Sequence, residues 1–336
     1  MSRRRVIISS IAAVALAILF VLSAFADVTA AARAWLCAFV LVSMVPIGSL
    51  ALLLVHGITG GRWGRDLAPV LAPAARGIPL LFMAFLPIIV LRPLIYNWHA
   101  LALPHDVLDF YLNPLFFDAR TLSALAIWSV LAWTAAWRNQ FFAALGLIAH
   151  LIVMTFIPAD WLLTIQPGST NAGFGLGFGI EQIFAALAFA ALLAPSGREP
   201  RANRDLAGLL VTALLGTVYF LYMQFIITWY GNIPAKVHWY VLRAGDGWAL
   251  MALAAFLIGG ALPFLSILNP YVRRNSDALR VVGAFVLAGV ALHIAWMTIP
   301  AFGSAAIAPE VLALTFLLAA AAAAWRIPTV GDAHVR

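Results

Sequence analysis

Ionisable side chains are scarce inside the apolar stretches of this chain. Each is a candidate for chemistry, because a charge at membrane depth needs a partner, water or a task. Arg92, His150, Glu181 and His293 lie within such stretches, while His56 closes one and Glu310 opens another. A histidine takes up and releases a proton near neutral pH, and a buried carboxyl can do the same from the other protonation state. Glu181, Gln182, Gln224, Thr228 and His293 therefore read as a polar track in the second half of the chain, with His150 a further candidate proton carrier. Gln224 and Thr228 are four residues apart and share one face of a helix. A set of interhelical hydrogen bonds that only fixes packing would use the same residues.

His150 and His293 invite comparison with a bis-histidine haem. A b-type four-helix cytochrome carries histidine pairs at two depths, and no second matched pair exists here, so no metal site is assigned. Arg92 is too deep to be a simple topology signal. Tyr96, His99, Asp106 and Asp160 are the candidates to surround it from outside. A quinol headgroup needs an acceptor for each hydroxyl proton, an aromatic wall and a lipid-facing entrance, and these residue types supply the first two. The competing reading is an Arg–Asp pair that merely ties a helix to an external loop.

Positioning these groups falls to apolar helices. The chain has 336 residues, 64% hydrophobic and 10% charged, with a mean hydropathy of +1.00. Soluble domains carry about 25% charged residues, so the expected class is an all-α polytopic membrane protein forming one integral membrane domain over 1–336. A span needs about 20 apolar residues. Stretches near that length fall at roughly 6–26, 34–56, 76–96, 120–137, 140–163, 176–195, 206–230, 247–268, 279–300 and 306–325.

Charge sets the orientation. With the N-terminus inside, the inner segments hold fifteen arginines (Arg3, Arg4, Arg5, Arg62, Arg65, Arg76, Arg138, Arg198, Arg201, Arg204, Arg273, Arg274, Arg280, Arg326 and Arg336). The outer segments hold four basic residues: Arg33, Arg120, Lys236 and Arg243. Basic loops resist translocation, so both termini are expected in the cytoplasm. The formal charge of +7 is then a matter of topology and lipid headgroups, and nucleic acid is not an expected partner. Met1 to Ala26 has the basic start and apolar run of a signal peptide, but that run exceeds the usual 7–15 residues, so it is expected to stay as the first helix, within 1–30.

Two external connections carry most of the remaining polar residues. Asn97 to Ala119 holds His99, His105, Asp106, Asp109 and Asp118, with Pro104 and Pro114 against a continuous helix. The other runs from Pro158 to the glycine-rich Gly173–Gly179. No strand precedes those glycines, so they signal close helix packing rather than a nucleotide fingerprint. Cys37 is the single cysteine, which excludes a disulfide framework, a CxxCH haem attachment and a cysteine-held cluster.

Gln224 to Pro234 reads QFIITWYGNIP and is followed by Trp239-Tyr240. Trp229 and Tyr230 favour headgroup depth, and Gly231-Asn232-Ile233-Pro234 breaks the helix there. This run resembles the Q-Y-hydrophobic-W-Y-A-N-I-P and W-Y signature of a membrane subunit of alternative complex III, a quinol:cytochrome c oxidoreductase. Supporting matches are Tyr111-Leu-Asn-Pro-Leu-Phe-Phe117 with Arg120 and Trp128, Asp160-Trp161-Leu162, and Pro263-Phe264-Leu265 with Arg273-Arg274-Asn275.

The chain is similar to the second of two related quinone-binding subunits in the NrfD-like, polysulfide-reductase membrane-subunit superfamily. That resemblance implies ten helices as two four-helix bundles, helices 2–5 within 34–163 and 6–9 within 176–300, flanked by helices 1 and 10, the last at 306–325. It implies a bacterial inner-membrane subunit of the respiratory chain with a proton route and no metal of its own. Menaquinol or ubiquinol would be oxidised, and the implied partners are a related NrfD-like subunit, an iron–sulfur subunit and multihaem c-type cytochromes. Family-motif residues on this match are Trp229, Tyr230, Asn232, Pro234 and Trp239. The chain departs from the family where Asp160-Trp-Leu-Leu-Thr-Ile-Gln-Pro-Gly-Ser-Thr170 lacks the His-Trp-Phe element that follows the proline, and where no aspartate accompanies His293. Both departures favour a scaffold role. Other classes compatible with mid-depth ionisable groups are a secondary transporter and a purely structural anchor.

Overall fold

A computed structural model describes residues 3–98, 110–167, 171–303 and 307–325. Among them the chain is all-helical and polytopic. The helices are α1 (Arg3–Ala26), α2 (Val28–Thr59), α3 (Arg62–Arg76), α4 (Leu80–Ile95), α5 (Pro114–Trp133), α6 (Gln140–Leu162), α7 (Phe174–Leu192), α8 (Pro200–Gly231), α9 (Pro234–Ala244), α10 (Trp248–Phe256), α11 (Leu262–Leu268), α12 (Ser276–Phe302) and α13 (Ile307–Trp325). A π-helical turn, Leu257–Ala261, joins α10 to α11. Hydrocarbon offers the backbone no hydrogen-bonding partner, so an apolar chain of this kind closes its N–H and C=O groups within helices.

Each of the ten predicted stretches is helical over most of its length. Among the described residues eight helical spans are long and apolar enough to cross a membrane, and the described parts of α1 and α13, Val14–Ala26 and Ile307–Leu318, are apolar as well. Two boundaries differ from expectation for local reasons. The connection expected to run to Ala119 already ends at Asn113, whose side chain accepts from the Leu115 amide, and Pro114 sits in the first turn of α5 rather than blocking it. Helices α3 and α9 were not expected, being too polar to span. In α3 the buried residues Gly64, Leu67, Leu71, Ala74 and Ala75 recur at helical spacing while Arg62, Arg65 and Asp66 stay exposed, an amphipathic pattern.

The centre of the molecule is α2. In its most apolar window 72% of the residues are buried, against 28 to 67% for the other seven spans. It packs on α1, α3, α4, α6, α7, α12 and α13. Pro46 lies inside it without ending it. The closest approach is to α7, where a Cβ on Gly48 would stand 2.0 Å from the Gln182 carbonyl oxygen. Small residues allow such contact where burial from water supplies little drive between helices. A similar crossing joins the π turn to α12, with a Cβ on Gly289 falling 2.1 Å from the Gly259 Cα. Helix α13 lies beside α1 and α2, and Trp35 packs between Phe20 and Phe316.

The Gly48 crossing predicts that Gly48→Ala separates α2 from α7 and lowers stability by about 2–3 kcal/mol. Gly208→Ala on α8, where a Cβ meets nothing within 4 Å, should be neutral or slightly stabilising. Thermal midpoints of the two variants in one detergent test this, and equal midpoints would refute the crossing as drawn.

Candidate functional site

The second half of the chain encloses a cavity of about 260 Å³ between α7, α8, α9, α10, the π turn and α12. Its walls are largely apolar, from Phe178 and Phe184 on α7, Leu214 and Val218 on α8, and Ala255 and Phe256 on α10. Four of the five residues predicted as a proton path line it: Glu181, Gln224, Thr228 and His293.

Glu181 and His293 face each other across it. The Glu181 Oε1 and the His293 Nδ1 lie 2.6 Å apart, with 5% and 12% of their side chains exposed. At that distance the two groups share one proton, and two ionisable side chains in an apolar wall neutralise each other. The His293 ring stacks on Trp296 at 19° with centroids 5.8 Å apart, which fixes its plane. Gln224 approaches the Gly173 carbonyl at 3.5 Å from Nε2. The glycine-rich run explains how: a Cβ on Gly177 would stand 2.7 Å from that Nε2, and one on Gly175 2.0 Å from the Met154 carbonyl oxygen on α6. Those glycines admit close neighbours, as the sequence suggested. Gln182 faces away from the cavity, buried, with neither amide atom of its side chain bonded within the described residues.

The chain breaks after α8, between the cavity-lining Thr228 and Lys236. Asn232 takes the left-handed conformation, φ 43°, and its amide donates to the Thr228 carbonyl at 3.1 Å. Pro234 then opens α9 at its first turn. Trp229 and Tyr230 are exposed, at the helix end, and Trp239 is buried on α9. The Tyr240 hydroxyl meets that of Thr228. Above Trp239, 3.2 Å from its ring centroid, lies the Arg243 guanidinium. It is 1% exposed and donates to the carbonyls of Trp239 and Met297 and to the Gln166 Oε1. Burial pulls it down to about 9, so it remains cationic at neutral pH.

His150 stands apart from this cavity. It is buried between α5 and α6, and its Nδ1 accepts a hydrogen bond from the Trp128 indole at 3.1 Å. An accepting Nδ1 carries no proton, which leaves a neutral ring with its hydrogen on Nε2.

The predicted quinol-side residues form a different cluster in the first half. Arg92 pairs with Asp118, and both are largely buried. Asp160, fully buried, receives the Nε and Nη2 of Arg120 at 2.6 and 3.0 Å. Arg120 also donates to the Tyr111 carbonyl and lies over the Tyr111 ring at 4.3 Å. Tyr96 donates to the Trp161 carbonyl at 3.1 Å. None of Arg92, Tyr96 and Asp160 lines the cavity, and His99 and Asp106 fall outside the described residues. Sequence reasoning missed Asp118 and Arg120 as the partners. Two residues apart in the first turns of α5, they point to nearly opposite sides, one toward α4 and one toward α6.

No protein-family model matches the chain, and no curated protein matches it.

Removing one member of a buried, bidentate ion pair strands the other. Asp160→Ala should therefore cost about 3–5 kcal/mol. Asp277→Ala, which breaks a pair to Arg280 whose carboxylate is 69% exposed, should cost about 1 kcal/mol or less. Denaturation of both variants in the same detergent reads the contrast, and a cost for Asp160→Ala no greater than for Asp277→Ala would refute the clasp.

Proposed function

We propose that this chain is a membrane subunit of a respiratory quinol:electron-acceptor oxidoreductase of the alternative complex III type, contributing to its membrane arm and carrying a proton path through Glu181 and His293. The observation that supports this most is the carboxylate–imidazole pair at 2.6 Å inside an apolar cavity. Such a pair accepts a proton on one side and releases it on the other without exposing a net charge to hydrocarbon.

In this reading the helices form two four-helix bundles, α2 with α4, α5 and α6, and α7 with α8, α10–α11 and α12, flanked by α1 and α13. In this reading there are ten spans, both termini are cytoplasmic, and the membrane is the bacterial inner membrane. Gln224 and Thr228 of the Gln224–Pro234 run, with Trp239 and Tyr240 beyond it, line the same cavity as the acid–imidazole pair. The chain moves no electron by itself. Iron–sulfur clusters and c-type haems belong to partner subunits, alongside a related NrfD-like subunit, and menaquinol or ubiquinol is the reductant. Within this chain His293 holds and passes the proton while Glu181 orients the ring. Arg92 with Asp118 and Arg120 with Asp160 act as structural clasps beside the quinol-side environment.

A secondary transporter is the second reading, because the π turn places Gly259 and Gly260 in the cavity wall where a helix could flex. The expected outcome for the first reading is that mild extraction brings iron–sulfur and multihaem subunits with the chain. In that complex Glu181→Gln or His293→Phe should slow proton-coupled quinol oxidation roughly a hundredfold. Unchanged turnover and proton release in both variants would leave a structural anchor. A chain that purifies alone and accumulates a solute in liposomes would establish the transporter.

A further inference from the structure

Helix α9 presents an unusual face to the cavity. A helix lying at a membrane surface turns its apolar side inward and its Lys and Arg toward water. Here the inward stripe is Lys236, Trp239, Tyr240 and Arg243, spaced i, i+3, i+4 and i+7, the first three lining the cavity and Arg243 buried beside it, while Val241 is 59% exposed on the other side. Arg243 is fully engaged by carbonyls and by Gln166. The Lys236 ammonium has no hydrogen bond and no ion pair among the described residues, and Glu181, the acid in the cavity, is held by His293. An unpaired ammonium therefore belongs to the wall of a largely apolar cavity, whose few polar lining residues include Asn171, Thr228 and Tyr240.

The cavity also opens sideways. Leu221 of α8 and Phe256 of α10 both line it, yet they are 37% and 52% exposed on the surface that faces lipid. The main packing partner of α8 is α7 and that of α10 is α12, so these two helices form the two jambs of a lateral opening. A small anion would satisfy Lys236 and leave the apolar space beneath it empty. An amphiphile satisfies both.

We infer that this cavity binds an anionic phospholipid from the leaflet on the α9 side. The phosphate lies against the Lys236 ammonium, with hydrogen bonds from the polar rim, and one acyl chain passes between Leu221 and Phe256 into the bundle. The site uses neither an electron carrier nor the Glu181–His293 pair, so it does not rest on the quinol oxidoreductase reading.

The test is native mass spectrometry of the full chain, in whatever complex it purifies with, after exposure to phosphatidylglycerol, phosphatidylcholine of the same acyl chains, or inorganic phosphate. One lysine near an anionic headgroup corresponds to about a fivefold preference, so phosphatidylglycerol should be retained about fivefold over phosphatidylcholine. Lys236→Ala should abolish that preference and Lys236→Arg should keep it. A side chain at Gly260, where a Cβ makes only ordinary contact with Phe256 at 3.5 Å and Leu214 at 3.7 Å, would extend into the cavity, so Gly260→Leu should exclude both lipids. A Gly208→Leu control and an unchanged helical circular dichroism spectrum separate exclusion from misfolding. Equal retention of the two lipids, an unaltered preference in Lys236→Ala, or displacement of phosphatidylglycerol by millimolar phosphate would each overturn the inference, the last in favour of a free-anion site.

Discussion

Backbone contact between α2 and α7 is the constraint on which the remaining geometry depends. With Gly48 against the Gln182 carbonyl, α7 is held against the most buried helix of the molecule, and the orientation of everything on α7 follows. Gln182 faces the crossing, so Glu181, one residue earlier and about 100° around the helix, is turned toward α12 and the cavity. His293 can then be reached by a short glutamate side chain. Small residues recur at the other crossings for the same reason: close packing at glycine substitutes for the burial of apolar surface from water, which contributes little inside a bilayer.

Polar groups in this fold are arranged in local, closed sets. Arg120 is held by Asp160 and the Tyr111 carbonyl and stacks on the Tyr111 ring; Arg243 has three acceptors and an aromatic face; Glu181 has His293. The low dielectric strengthens each set and makes any missing member costly. A single α5 turn supplies both Asp118 and Arg120, so that helix holds α4 and α6 with charges of opposite sign. The buried Gln182 amide and the Lys236 ammonium depart from this pattern within the described residues, and the place of Lys236 in the wall of an apolar cavity gives its departure a chemical meaning.

Much of this was legible in the sequence. A run of about 20 apolar residues has few alternatives to a helix in lipid, which is why each expected stretch is helical. The Gly231–Pro234 break was legible because proline and a left-handed asparagine can do little else at the end of a helix. Glu181, Gln224, Thr228 and His293 were singled out as polar groups in apolar stretches, and the structure gathers them around one cavity. Pairings were not legible, because they depend on the rotation of each helix about its own axis. Arg92 was placed with residues of the following loop and Asp160, whereas a partner 26 positions on, Asp118, took it. His150 matched His293 in chemistry, but its rotation carries it against Trp128. The amphipathic helices α3 and α9 were hidden because a search by hydropathy passes over short segments with a polar face.

Cys37 shows a last effect of this close packing. Its sulfur, 2% exposed, donates to the Glu310 Oε1 of α13 at 2.8 Å and accepts from the Thr298 hydroxyl of α12 at 3.1 Å. An alkylating reagent cannot meet the thiolate while the last helix stays in place. The only thiol in the protein is thus a built-in clock for the peeling away of its final segment, readable without introducing a probe residue.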